Sequence, residues 1–218
     1  MPSPLRLGVL LSGGGRTLEN ILREIESGRL AGLAQVAVVI ASRPGIRGIA
    51  VGQAAGAPVH VVERSAYTKV DAYSEAMARL LDEARAGLVC LAGFLSYWIV
   101  PDRYAGRVMN IHPALLPSFG GKGMYGHHVH EAVLARGCKV SGCTVHLVNN
   151  EYDAGPIVLQ RAVRAFAEDT PETLAARVFR EECEAYPEAI RLYAEGKLRV
   201  ADGVVHIDES DYQRPEEA

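Results

Sequence analysis

Leu5-Arg6-Leu7-Gly8-Val9-Leu10-Leu11-Ser12-Gly13-Gly14-Gly15-Arg16-Thr17 carries the first structural decision in this chain. The apolar run Leu5 to Leu11 reads as a strand, three glycines turn it, and a helical stretch follows from Thr17 to about Glu26. The alternation then repeats. Val36 to Ala41, Val59 to Val62, Leu88 to Ala92 and Val108 to Ile111 are short apolar runs of strand type. Between them, Tyr67 to Arg85 places Tyr73, Met77, Leu80 and Leu81 at helical spacing. Strands that are apolar on both faces and alternate with helices imply a parallel sheet covered on both sides.

The second half changes character. His128 to Ala135 reads as a helix, but Val140 to Val148 and Ile157 to Arg164 are longer alternating strands around the bend Asn149 to Pro156, suited to an antiparallel or crossed addition. Pro171 opens a long helix to about Ala194, with Asp169 or Thr170 as its cap. Leu198 to Val200 and Val204 to Ile207 read as a terminal hairpin. The expected architecture is α/β: an open, mostly parallel, Rossmann-like sheet with helices on both faces and an antiparallel addition in the C-terminal half. One domain is expected over residues 1–209, with a frayed polar tail at 210–218.

The 218 residues are 49% hydrophobic and 22% charged, with a formal net charge of −3 and no basic block. A large nucleic-acid surface is thereby disfavoured, because phosphate neutralisation needs clustered positive charge. Met1-Pro2-Ser3-Pro4 leads straight into the first strand without the charged start and long apolar core of a signal peptide, and no run approaches a membrane span. The cytosol is the expected location. The four cysteines lack C-x-x-C spacing, so no disulfide is expected, although Cys138 and Cys143 are close enough in sequence to pair.

The glycine loop suits an anion. Glycines let the backbone approach a ligand, and the free N–H groups of a helix start attract negative charge. A dinucleotide fingerprint would need glycine at position 18, which is Leu18, and an acid after the second strand, where Ser42-Arg43 stands. No G-K-[ST] follows, which removes a Walker-type site. A single phosphate held by Gly14, Gly15, Arg16 and Thr17 is the expected occupant, against the alternative of a plain tight turn.

Met109-Asn110-Ile111-His112-Pro113 closes a buried strand. Residues two apart on an extended segment point the same way, so Asn110 and His112 address one site at the carboxyl end of a strand, where open α/β sheets bind ligands. An amide beside an imidazole suits a reaction that develops charge on an oxygen and moves a proton near neutral pH. Asp153 lies in the bend Asn149 to Pro156, and its alternatives of turn residue or partner of His112 stay open on spacing alone. His146 can face the same cleft. His127, His128 and His130 imitate a metal cluster but lack companion ligands at a strong spacing, so no metal is expected. No G-x-S-x-G or Cys/His nucleophile pattern is present, which argues against a covalent intermediate.

Taken in order, Leu11-Ser12-Gly13-Gly14-Gly15, Leu91-Ala92-Gly93-Phe94, Tyr104-Ala105-Gly106-Arg107, Asn110-Ile111-His112-Pro113-Ala114-Leu115-Leu116-Pro117, Thr144-Val145-His146 and Asp153-Ala154-Gly155-Pro156-Ile157 resemble the glycinamide ribonucleotide formyltransferases. The resemblance runs from Leu7 to about Leu198. It implies direct attack by the amine of glycinamide ribonucleotide on the formyl carbon of 10-formyltetrahydrofolate, the cosubstrate, with no metal. It further implies that Asn110 and His112 stabilise the oxyanion and that Asp153 orients or charges His112. Gly15, Arg16 and Thr17 would hold the phosphate, and Glu182 would meet the other end of that substrate. Leu95, Ser96, Tyr97, Trp98, Asn110 and Asn150 would meet the folate. The chain departs from the family pattern at Thr17, at Asn150 and in the long Gly120–Gly126 segment. Ser96 and Val70 also stand where arginines often meet the folate tail, with Lys69 adjacent.

The rivals are a formyltransferase acting on a sugar nucleotide or initiator tRNA, a formyltetrahydrofolate hydrolase, and a non-catalytic binder of a phosphorylated ligand. The tRNA enzymes carry a further C-terminal domain and the hydrolases an N-terminal regulatory one, for which this chain leaves no length. A binder needs the glycine loop but not Asn110, His112 and Asp153 together. A monomer or homodimer is expected.

Overall fold

The computed structural model describes residues 3–208; the tail expected to fray lies outside the described residues. Seven strands form the main sheet in the order β3-β2-β1-β4-β5-β6-β7. Strands β1 (Leu5–Leu11), β2 (Ala34–Ala41), β3 (Val59–Val61), β4 (Leu88–Leu91) and β5 (Val108–His112) are mutually parallel. The pair β6 (Val140–Leu147) and β7 (Ile157–Arg164) adds antiparallel to β5. The chain winds outward from β1 to β3, then restarts at β4 on the other side of β1. This switch point opens a crevice at the carboxyl ends of β1 and β4.

Helices α1 (Arg16–Ser27), α2 (Arg47–Ala54), α3 (Val70–Glu83), α4 (His127–Ala135) and α5 (Pro171–Ala194) accompany the sheet. Two apolar layers result. One gathers Leu7, Val9, Leu18, Cys90, Met109 and Val178; the other gathers Leu10, Ile40, Tyr73, Met77, Val89 and Trp98. Alternate residues of β1 thus enter opposite layers, as the period-two pleat requires. The hairpin of β8 (Leu198–Ala201) and β9 (Val204–Ile207) forms a second small sheet, with Leu198 and Val205 packed against the main core.

Helix α5 begins as expected. Thr170 accepts from the Thr173 N–H, and the Thr173 hydroxyl accepts from the Thr170 N–H, so the first turn is capped reciprocally with Pro171 at its start. Midway, the Tyr186 hydroxyl reaches the carbonyls of Met109 at 2.7 Å and Leu91 at 3.1 Å. That contact ties the helix to β4 and β5 beside Asn110.

Two expectations needed correction. Helix α2 was not foreseen, because Gly48 and Gly52 within it look like breakers. In the fold they are packing residues: a Cβ at Gly48 would stand 2.7 Å from Leu11, and one at Gly52 3.0 Å from Val59. The helix expected from Tyr67 begins only at Val70, after a 3-10 turn at Arg64–Ala66 and an extended Tyr67. The cysteines are free.

Candidate active site

Loops at the ends of β1 and β4 are stitched together by Ser12. Its N–H donates to the Gly93 carbonyl, and its hydroxyl accepts from Leu95 N–H at 2.8 Å and from the Ser42 hydroxyl at 2.7 Å. Gly15 adopts φ 77° and a Cβ there would lie 2.7 Å from Gly48 Cα, so this position demands glycine. Gly13 and Gly14 face open space. Part of the glycine run therefore serves the approach of α2. Two arginines that the sequence did not single out brace the loop: Arg43 donates to the Ser12 carbonyl, and Arg47 donates to Gly14 and pairs with Glu19.

The crevice has two adjoining compartments. The larger, about 340 Å³, has Arg16 and Thr17 at one end and Glu182 and Phe179 from α5 nearby. Gly14 and Gly15 do not line it, so of the expected phosphate group only Arg16 and Thr17 face the space. The Arg16 guanidinium carbon sits over the Phe179 ring, 3.7 Å from its centre, which holds the guanidinium at the compartment wall. Burial pushes the Glu182 carboxyl up to about 7, against the opposing pull of Arg16. The smaller compartment, about 110 Å³, is lined by Leu95, Ser96, Tyr97 and Trp98 on one side and Asn149 to Asp153 on the other. Asn110 and Asp153 line both compartments, so they stand where two bound molecules would meet.

Asn110 and His112 both reach this junction from β5, as their spacing implies. The antiparallel pairing of β5 with β6 sets Asn110 opposite His146 and His112 opposite Thr144. His146 Nδ1 lies 3.0 Å from the Leu147 carbonyl, which can only accept, so that nitrogen carries hydrogen. The other nitrogen then accepts from Asn110 Nδ2 at 3.1 Å. This relay orients the Asn110 amide and leaves its second N–H for another acceptor. The signal in the sequence was a pair of alternating triplets, Asn110-Ile111-His112 and Thr144-Val145-His146, whose register became visible only with the strands paired.

Asp153 does arrive at His112. Its Oδ2 lies 3.7 Å from His112 Nδ1, and its Oδ1 lies 3.6 Å from His146 Nε2. These separations exceed a hydrogen bond yet leave no room for a bridging water, so the coupling is directly electrostatic. His112 Nε2 donates to the Phe119 carbonyl at 2.8 Å, and Gly121 N–H donates to Asp153 Oδ2 at 2.9 Å. The Gly120–Gly126 segment thus contributes backbone groups to the junction. Burial lowers the His112 pKa below the ordinary imidazole value, more than the Asp153 charge and the Phe119 carbonyl restore. Burial raises Asp153, but the neighbouring His112 and the hydrogen bond from Gly121 N–H help hold the carboxyl below its usual range. The pair at neutral pH is a carboxylate facing a neutral imidazole.

Other expected site residues take distinct positions. Trp98 is buried and donates through Nε1 to the Ser74 carbonyl, forming the back of the smaller compartment. Asn150 lines that compartment, but its amide is spent on Val100: Oδ1 accepts from Val100 N–H and Nδ2 donates to Val100 carbonyl. It shapes the wall instead of offering its side chain inward. The histidine cluster is split: His127, near Glu172, and the buried His130 both line the larger compartment, whereas His128 pairs with Glu131 at the surface.

His130 is 4% exposed and its Nδ1 has no partner among the described residues. Burial, helped by the nearby His127 and His112, lowers its pKa to about 4. The unfolded chain therefore binds more protons than the fold between about pH 6.5 and pH 4, and stability falls as pH drops through that window, by at most about 3 kcal/mol from this group. Urea midpoints measured from pH 7 to pH 4 should decline, and His130→Phe should flatten the decline. An unchanged slope in that variant would assign the acid sensitivity elsewhere.

A doubly wound sheet with polar residues converging at its switch point, over two joined compartments, defines an open α/β enzyme that brings two small molecules together. The chain belongs to the formyl transferase family, whose model matches residues 5–190. It is 33% identical over 206 residues to a phosphoribosylglycinamide formyltransferase of Haemophilus influenzae, covering 93% of each chain. It is similar in structure to glycinamide ribonucleotide transformylase 1 from Symbiobacterium toebii, with TM-score 0.85, 39% identity and 94% of each chain covered. It is also 36% identical over 200 residues to the trifunctional purine biosynthetic protein adenosine-3 of Gallus gallus, of which it spans 19%. Among the described residues, no helix is long and apolar enough to cross a membrane.

Proposed function

We propose that this chain transfers the formyl group of 10-formyltetrahydrofolate to the amine of glycinamide ribonucleotide, a step of de novo purine biosynthesis, in the cytosol. The observation that carries this reading is the junction itself: Asn110 and Asp153 line both compartments, with His112 beside them in the larger one. The amine, bound in the larger compartment, attacks the formyl carbon presented from the smaller one. A tetrahedral adduct forms, with negative charge on the former carbonyl oxygen. The free N–H of Asn110 donates to that oxygen, and the His112 ring stabilises it by the positive charge it gains, its Nε2–H being held by the Phe119 carbonyl. Asp153 keeps the imidazole poised to become charged as the adduct forms. One proton must leave the attacking nitrogen and one must reach the departing folate nitrogen, and the Asp153–His112 pair assists that transfer. Collapse gives formylated amine and tetrahydrofolate. No covalent bond to the protein is required.

The phosphate of the acceptor would lie at the start of α1, near Thr17, with Arg16 swung from Phe179 towards it and Glu182 at the sugar end. Arg16→Ala is expected to raise KM for glycinamide ribonucleotide roughly tenfold with little change for the folate, since one charge-assisted contact is lost. Equal effects on both would place the phosphate elsewhere. The decisive experiment is a screen of amine acceptors with 10-formyltetrahydrofolate, following tetrahydrofolate release. Glycinamide ribonucleotide should be consumed well ahead of sugar nucleotides; folate release in water alone would mark a hydrolase.

A further inference from the structure

Two side chains of opposite charge share the larger compartment without meeting. Arg16 opens α1 and Glu182 lies on α5, and both line the cavity. Among the described residues, no hydrogen bond or ion pair ties the side chain of either. Nearby arginines that reach a carboxylate do pair with it: Arg29 meets Glu184 at 2.6 Å and Arg177 meets Asp169 at 2.8 Å. What Arg16 touches instead is a ring. Its guanidinium carbon lies 3.7 Å from the centre of Phe179. Phe179 and Glu182 are three residues apart on α5 and so lie on one face of that helix. The ring and the acid are therefore alternative resting places for one cation.

The alternatives differ in what they leave free. A guanidinium stacked on an aromatic face keeps its N–H edge open, whereas a carboxylate takes that edge as a bidentate partner. At a partly open wall a cation–ring contact and an ion pair are of similar strength, so the ring can hold the cation against the pull of the acid. Burial pushes the Glu182 carboxyl up to about 7, and Arg16 only partly opposes this, as expected of a cation kept at a distance. The other titratable neighbours are the thiols of Cys143 on β6 and Cys183 on α5. Burial pushes both up, so neither carries charge at neutral pH.

We propose that Phe179 is a positioning residue that keeps Arg16 from collapsing onto Glu182 before the acceptor binds, so that its phosphate and sugar ends each meet an uncommitted group. The identity of the acceptor rests on the formyl-transfer reading above, so the test adds ribose 5-phosphate, which carries phosphate and sugar but no amine. Phe179→Leu should raise KM for glycinamide ribonucleotide about fivefold and weaken ribose 5-phosphate equally in calorimetry, with kcat and the folate KM little changed. Phe179→Tyr, which keeps the ring, should stay within about twofold of the parent protein. In an Arg16→Ala background, Phe179→Leu should cost less than about twofold, because the cation it holds is gone. The Glu182 carboxyl, followed by carbon-13 NMR, should titrate at lower pH in Phe179→Leu and lose that shift in the double variant. Equal losses with and without Arg16, or a Glu182 titration that Phe179→Leu does not move, overturn the proposal. So does a loss that Phe179→Tyr shares. Ribose 5-phosphate binding with the expected pattern but no formyl transfer upholds Phe179 in this role and sinks the reaction assigned to the site.

Discussion

Asp153→Asn should lower formyl transfer about a thousandfold while both substrates still bind, a loss in the middle of the range for removal of a group that handles protons. The substitution preserves size and leaves an oxygen to accept the Gly121 N–H. What it removes is the charge 3.7 Å from His112 and 3.6 Å from His146. Burial already disfavours the charged imidazole at His112, and the carboxylate is the principal opposing influence. Without it, the imidazolium that should accompany the oxyanion has no counter-charge. Single-turnover rates and equilibrium binding separate chemistry from affinity. The titration of His112, followed by NMR, should move to lower pH in the same variant. Near-normal turnover would dismiss Asp153 from the chemistry.

Gly155→Ala should cost about 3 kcal/mol of stability and abolish transfer in whatever protein still folds. A Cβ at this position would run into the Leu147 carbonyl oxygen, with the Leu147 carbonyl carbon at 2.9 Å and Asn149 N at 3.3 Å. All three are backbone atoms, and Leu147 N–H is already bonded to the Pro156 carbonyl at 2.8 Å. The bend cannot yield without breaking that bond or moving Asp153, two residues upstream and itself at φ 53°. Gly13→Ala and Gly14→Ala face open space and should change stability by less than about 0.5 kcal/mol. Denaturant midpoints for the three variants provide the comparison; a stable Gly155→Ala protein would mean that the bend tolerates displacement.

The open space around Gly13 and Gly14 also bears on how the glycine loop reads. In sequence, three glycines look like a single phosphate device. In the fold, Gly15 is required by its left-handed backbone and by the approach of Gly48, while Arg43 from the bend after β2 and Arg47 from a helix that the sequence concealed brace the loop. Gly48 and Gly52 conceal it because a residue chosen for close packing carries no hydrophobic signal. Asn150 shows a similar limit at the other compartment: the resemblance implied a folate contact, and in the fold its side-chain amide bonds both backbone groups of Val100.

The sequence by itself determined what depends on local repetition. Strand and helix alternation specified a covered parallel sheet, the longer alternating runs specified its antiparallel extension, and the period of two gave Asn110 and His112 a shared direction. Tertiary structure alone decided which distant groups meet that pair. The register of β6 on β5 brought His146 to Asn110, and the bend after β6 carried Asp153 to His112. The reason is physical. Periodicity acts over a few bonds, whereas strand register and loop placement are set by burial and backbone pairing across the whole sheet.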